Sequence, residues 1–179
     1  GQELQTLVGH TGGVESVGFA PDGQTLVSAS ADGTLKLWDK SGQELQTLMG
    51  HTSAVNNGSF SPDGRMIVSA SADGTIKLWD RSGLELQTLE DNTDSFNSVG
   101  FSPDGQMIAS ASSDSTVRLW DRGGRVLRTL EDPNDRVQSV SFSPDSQKLV
   151  TASEDATVKL WDRCGQVLQT LEGHSALVT

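Results

Sequence analysis

The sequence holds a single cysteine, Cys164, in 179 residues. An internal disulfide is therefore excluded, and a reducing compartment suits the chain. Cations are scarce as well: Lys+Arg 13 against Asp+Glu 24 leaves a formal net charge of −11. Binding to phosphate backbones rests on Lys and Arg, so nucleic acid is not an expected partner. The same sign disfavours anionic membrane surfaces, and no apolar run approaches the roughly 20 residues that span a bilayer. These absences predict a soluble, cytoplasmic protein that needs neither membrane nor cofactor. The chain opens on Gly1 rather than methionine, which reads as a segment cut from a longer array. Also missing is any clustered, non-repeating set of acid, base and nucleophile, which argues against an enzyme.

What is present is repetition. Ser28 to Asp39 recurs at 69–80, 110–121 and 151–162, and the four tryptophans, Trp38, Trp79, Trp120 and Trp161, lie 41 residues apart, each followed by aspartate. A fixed period of this length marks a tandem array of one supersecondary unit. Glycines at 1, 42, 83, 124 and 165 open five variants of one heptad, from GQELQTL to GQVLQTL, whose alternation predicts a short, half-wet strand. A loop follows, then a strand at Val14 to Phe19. The turn Pro21-Asp22-Gly23 closes it, with Pro144-Asp145-Ser146 in the fourth copy lacking the glycine. Thr25 to Ser30 reads as a buried strand, Asp32-Gly33 as a tight connection, and Leu35 to Trp38 as the last strand.

Four antiparallel strands per period leave a sandwich or a radial array of blades, and equal copies favour the radial array. At this point the Gly-His near the start of the copy, the Asp-Gly hairpin and the terminal Trp-Asp resemble the WD-repeat family of β-propellers, as a bacterial or engineered array. The resemblance implies an all-β propeller of four-stranded blades, four per chain, with boundaries at 8–48, 49–89, 90–130 and 131–171. It further implies that residues 1–7 are the outer strand of a preceding or partner blade, and that 172–179 begin a truncated fifth repeat.

The resemblance also implies a buried network: His10, Asp32, Trp38 and Ser28 or Ser30 in the first copy, and His51, Asp73, Trp79 and Ser69 or Ser71 in the second. Asp114 and Trp120, then Asp155 and Trp161, are the counterparts in the third and fourth. A buried carboxylate and an indole N–H need partners, so such a set fixes a loop against its blade. A hydrolase triad is disfavoured, because the set recurs from copy to copy and a catalytic site has no use for repetition. Copies three and four depart, with Asn92 and Pro133 for the histidine and Asp91 and Asp132 for the preceding glycine. Asp155 must then find another partner, and looser loops are predicted. Drift is the favoured reading; an acidic rim of Asp91, Asp94, Asp132 and Asp135 attracting a basic peptide or a cation is the other. No metal is expected, since the loops lack the dense oxygen ligands of a calcium loop. Gly58 stands where the other copies have Val17, Val99 and Val140, which predicts a gap or a shifted strand. Cys164 reads as a tolerated surface thiol.

Propellers of this family bind mostly through one loop-bearing face, and ligand contacts belong where the copies disagree. The candidate surface is Glu15, Asn56, Asn97, Arg136, Gln138 and Glu154, polar and poor in aromatic hot spots. Because the family usually closes with seven or eight blades, four copies predict an open arc with apolar end faces. Two chains joined head to tail as a homodimer would complete an eight-bladed ring. In that ring 1–7 of one chain and 165–171 of the other would compete for one edge. The functional expectation is a non-catalytic scaffold for peptide or protein partners. The alternative is a repeat-amplified or engineered fragment with no ligand of its own, suggested by first and second copies that differ at 13 of 41 positions.

Overall fold

Each repeat folds into one twisted antiparallel sheet in which sequence order is spatial order. The computed structural model describes residues 3–90, 94–132 and 136–173. Blade 1 contains β1 (Val14–Phe19), β2 (Thr25–Ser30), β3 (Thr34–Asp39) and β4 (Glu44–Met49). Blade 2 contains β5 (Val55–Phe60), β6 (Met66–Ser71), β7 (Thr75–Asp80) and β8 (Glu85–Glu90), and blade 3 contains β9 (Phe96–Phe101), β10 (Met107–Ser112), β11 (Thr116–Asp121) and β12 (Val126–Glu131). Blade 4 contains β13 (Val137–Phe142), β14 (Lys148–Ser153), β15 (Val158–Asp162) and β16 (Val167–Leu171). The four sheets run β1-β2-β3-β4, β5-β6-β7-β8, β9-β10-β11-β12 and β13-β14-β15-β16, all antiparallel.

The innermost strands stand side by side, β1 on β5, β5 on β9 and β9 on β13, so the sheets radiate from one axis. The outermost strand of each blade comes from the heptad that opens the next copy. A turn capped by the aspartate of the Trp-Asp pair leads into it: Asp39 Oδ1 accepts from the Ser41 amide at 2.8 Å and the Gln43 amide at 2.9 Å. Residues 3–10, read from sequence as containing a strand, form none.

The core lies between blades. Val27, Ala29, Leu35, Leu37 and Leu48 of blade 1 pack on Val55, Ile67 and Trp79 of blade 2, and the same positions repeat at the next two joints. Gly58 leaves neither gap nor slip. It pairs with Ser69 as Val17 pairs with Ser28, and a Cβ there would lie 2.6 Å from Leu35 Cδ2. The γ-branched Leu35 reaches into the volume that valine occupies elsewhere, where the facing side chains are the β-branched Ile76 and Val117.

The end blades are incomplete on opposite faces. On blade 1 Val17 and Phe19 are each 70% exposed, whereas Val99 and Val140 at the position of Val17 are 3% and 7%. On blade 4 Val150 is 37% and Leu171 47% exposed, against 0% and 1% for Val27 and Leu48. The arc is therefore open among the described residues. Among the described residues no helix is long and apolar enough to cross a membrane.

Candidate functional site

The Asp32-Gly33 connection needs a left-handed residue, which Gly33 supplies at φ 83°. It turns the Asp32 carboxylate back over the loop that carries His10. His10 Nδ1 lies 2.9 Å from Asp32 Oδ2, His10 Nε2 lies 2.7 Å from Ser28 Oγ, and Trp38 Nε1 donates to the same Ser28 Oγ at 2.8 Å. Blade 2 repeats this with His51, Asp73, Ser69 and Trp79 at 2.9, 2.8 and 2.9 Å. With the proton on Nδ1 every group is satisfied: indole N–H to serine oxygen, serine O–H to Nε2, Nδ1–H to carboxylate.

Of the two serines left open by sequence, Ser28 and Ser69 join this chain. Ser30 and Ser71 instead accept from the hairpin amides of Asp32 and Asp73, each at 3.1 Å. The Ser28 hydroxyl is buried, its oxygen accepts from the Trp38 indole, and its proton goes to His10 Nε2. The arrangement fixes a loop against its blade. Burial pushes the Asp73 carboxyl up, but hydrogen bonds from Thr75, the Thr52 amide and His51 outweigh it and hold the group at about 2. Burial pushes the His51 imidazole down, against the pull of Asp73.

Blades 3 and 4 keep half of this. Trp120 donates to Ser110 Oγ and Trp161 to Thr151 Oγ1, both at 2.9 Å. The hairpin aspartates turn to cations of their own blades: Arg118 Nη2 lies 3.0 Å from Asp114 Oδ2, and Lys159 Nζ lies 3.9 Å from Asp155 Oδ2. In blades 1 and 2 the matching lysines point outward instead, Lys36 to Glu44 and Lys77 to Glu85, each at 2.9 Å. Blades 3 and 4 have Val126 and Val167 at those glutamate positions.

Asp132 explains the exchange. It is fully buried, bonded to Lys159 Nζ and accepting from Ser153 Oγ at 3.1 Å. In blade 1 the equivalent residue is Gly9, where a Cβ would lie 2.9 Å from both Glu44 Oε2 and Trp38 Cη2. Glycine with glutamate, or aspartate with valine, are thus two ways of placing one carboxylate beside one buried cation. Asp132 therefore does not belong to an acidic rim; Asp94 is exposed, while Asp91 and Asp135, with Asn92 and Pro133, lie outside the described residues. The sequence carries the signal: Gly9 and Gly50 accompany Glu44 and Glu85, whereas Asp91 and Asp132 accompany Val126 and Val167.

The candidate contact surface divides. Asn56 Nδ2 donates to the Phe96 carbonyl at 2.8 Å and Asn97 Nδ2 to the Val137 carbonyl at 2.9 Å, so both staple one blade to the next. Glu15 at the same position is exposed and, as a carboxylate, has no proton to donate to a carbonyl. Gln138 turns within its own blade to Glu154 Oε1 at 2.6 Å. Arg136 is exposed. Beside them the hairpin Ala31 to Gly33 and the loop His51 to Ala54 enclose a polar cleft of about 320 Å³. Among the described residues no cluster of His, Cys, Asp and Glu is arranged to hold a metal ion.

The family profile "WD domain, G-beta repeat" (WD40) matches residues 1–39, 42–80, 83–121 and 124–162. The chain belongs to the WD40 family. WD40 repeats build protein-interaction scaffolds, and their propellers are generally non-catalytic. Over 42 residues the chain is 48% identical to an uncharacterized WD repeat-containing protein of Synechocystis sp., covering 23% of this chain and 12% of that protein. Over 38 residues it is 50% identical to the serine-threonine kinase receptor-associated protein of Homo sapiens, covering 21% and 11%. The match to the Bos taurus protein of that name has the same extent. These stretches span about a tenth of each relative, so they show a shared WD40 repeat rather than a shared whole protein.

Proposed function

We propose that this WD40 chain is a non-catalytic scaffold that self-associates head to tail into an eight-bladed ring and presents its loop face to peptide or protein partners. The observation that carries this reading is the match between the two open ends. Blade 1 offers a cavity of about 320 Å³ lined by Leu7, Val8, Val14, Val17, Leu26 and Trp38. Blade 4 offers Val150, Val158 and Leu171, the positions that fill the equivalent space at every internal joint.

Volume and charge both agree with a second copy as occupant. Val158 would meet Val17 as Val117 meets Val140. At the rim, Arg81 Nη1 reaches Asp22 of the preceding blade at 3.0 Å and Arg122 approaches Asp63 at 4.0 Å. Lys40 and Asp145 hold those positions at the two ends, and both are exposed. Gln138 at the end of blade 4 would then have the Val14 carbonyl to staple, as Asn56 has that of Phe96.

The partner surface on this reading is the polar cleft together with Glu15, Arg136 and Glu154. A single exposed thiol at Cys164 suits the reducing cytoplasm. Sedimentation tests the assembly: twice 19.0 kDa is expected, with Lys40→Glu or Asp145→Lys loosening it and the double variant restoring it. A dimer indifferent to all three removes this joint. Peptide-library binding to the assembled form, repeated with Arg136→Ala and Glu154→Ala, tests the surface; binding that ignores both changes moves it elsewhere. A second reading, a repeat-amplified array without a ligand, draws on Asn56 and Asn97 being spent on inter-blade bonds. It predicts no binding at all.

A further inference from the structure

Residues 3–7 are the outermost strand of no sheet, yet they lie where one belongs. Gln5 Nε2 donates to the Ser41 carbonyl, and Gln5 and Leu7 crowd Gly42 so closely that no Cβ fits there. At the internal joints Gln87 Nε2 donates to the Gly123 carbonyl at 2.9 Å and Arg128 Nη1 to the Cys164 carbonyl at 2.7 Å. Leu89 crowds Gly124 and Leu130 crowds Gly165 in the manner of Leu7 at Gly42. The Thr6 hydroxyl donates to the Glu3 carboxylate, as Thr47 does to Glu44 at 2.5 Å. This arm therefore stands on blade 1 as β4 stands on blade 2.

The docking of blade 4 from a second copy would bring Gln169 and Leu171 of β16 to the places Gln5 and Leu7 occupy. Only one of the two segments fits. Either the arm is expelled, or it replaces β16 on β15 of the second copy. Charge decides between them. An arm paired with β15 puts Glu3 at the position of Val167, opposite Trp161 and beside Lys159. Lys159 already has Asp132 against it and Asp155 at 3.9 Å. A third carboxylate there has no cation of its own, whereas in blades 1 and 2 the outer-strand glutamate coexists with Gly9 or Gly50 in the loop. Valine is the residue that fits an outer strand over Asp132, and β16 carries it.

Resting on the self-association reading, we infer that residues 3–7 are a removable cap on the head surface of blade 1, held there in the lone chain and expelled by β16 of a second copy. The cap sets the concentration at which chains join, because each joint forms only after an arm has left.

The test measures the self-association constant of the full chain by sedimentation, with Leu7→Ser to weaken the cap and Leu171→Asp to weaken its competitor. Leu7→Ser is expected to tighten assembly about tenfold, the scale of one apolar side chain, and Leu171→Asp to weaken it by at least as much. Hydrogen exchange of the assembled wild type should leave the Gln5 to Leu7 amides unprotected and those of β16 protected. Weaker or unchanged assembly with Leu7→Ser, or strand-like protection of the arm with loss at β16, overturns the cap. If wild type stays at 19.0 kDa while Leu7→Ser assembles, the cap stands and is dominant. If neither assembles at any concentration reached, the self-association reading falls and takes the cap with it.

Discussion

Blades 1 and 2 solve with an imidazole what blades 3 and 4 solve with a cation. In the first pair His10 and His51 hold the hairpin aspartates, and Lys36 and Lys77 are drawn outward by Glu44 and Glu85. In the second pair Arg118 and Lys159 serve the hairpins, and in blade 4 the loop carboxylate Asp132 replaces the one the outer strand has lost. The lesson is that the repeat conserves a charge balance around its buried cation rather than a residue. A copy that loses its histidine is rewired, so the loss of the Gly-His signature does not by itself mark a decaying blade.

The largest effect that would break this comparison comes from Asp132→Ala. It leaves Lys159 buried with only the more distant Asp155, and a loss of about 3 kcal/mol is expected from urea unfolding. Replacing both members, Asp132→Gly with Val167→Glu, gives Lys159 the outer-strand partner that Lys36 has in Glu44 and should recover most of that loss. Failure of the double variant to recover would show that the two wirings are not equivalent.

Acid should separate the halves by less. The His51 imidazole is depressed by burial, so the unfolded chain takes up its proton first and stability falls as pH drops below about 6.5. Asp73, held at about 2 against an ordinary 3.8, adds stability that is present above 3.8 and is lost as pH falls toward 2, about 1 kcal/mol after allowance for screening. Urea midpoints between pH 7.5 and 5 should therefore slope in the wild type and flatten in His51→Asn. An unchanged slope would assign the acid sensitivity to other groups. The smallest effect lies at the hairpins, where Gly33 and Gly74 are replaced by Ser115 and Ala156 at φ 68° and 66°. Ala156→Gly should relieve left-handed strain and stabilise by about 0.5 kcal/mol net of glycine's extra chain entropy, seen as a small rise in the urea midpoint.

The architecture was legible because it rests on local signals that recur, the Trp-Asp pair four times, Pro-Asp-Gly three times and the Asp-Gly hairpin twice. Trp-Asp, Asp-Gly and Pro-Asp-Gly each state a turn or a strand end, and a fixed period states that the units stack. What was not legible depends on distances between blades. Nothing local distinguishes Ser28 from Ser30, since the strand direction that aims one at Trp38 is settled only by pairing. Asn56 and Asn97 looked like ligand contacts because the copies vary there, yet each donates to a carbonyl in the next blade. The gap predicted at Gly58 failed for the same reason: the filling atom belongs to Leu35, far away in the chain.

Leu35 and Gly58 have a consequence for how the chain finds itself during folding. Sequences this alike invite wrong neighbours, because a newly formed blade meets several nearly equivalent partners. The Leu35 side chain suits a partner strand with glycine at that place, and Val17, Val99 or Val140 would each collide with it. A missing isopropyl group thus works as an address, steering blade 1 to blade 2 and away from every other copy, its own or a neighbour's.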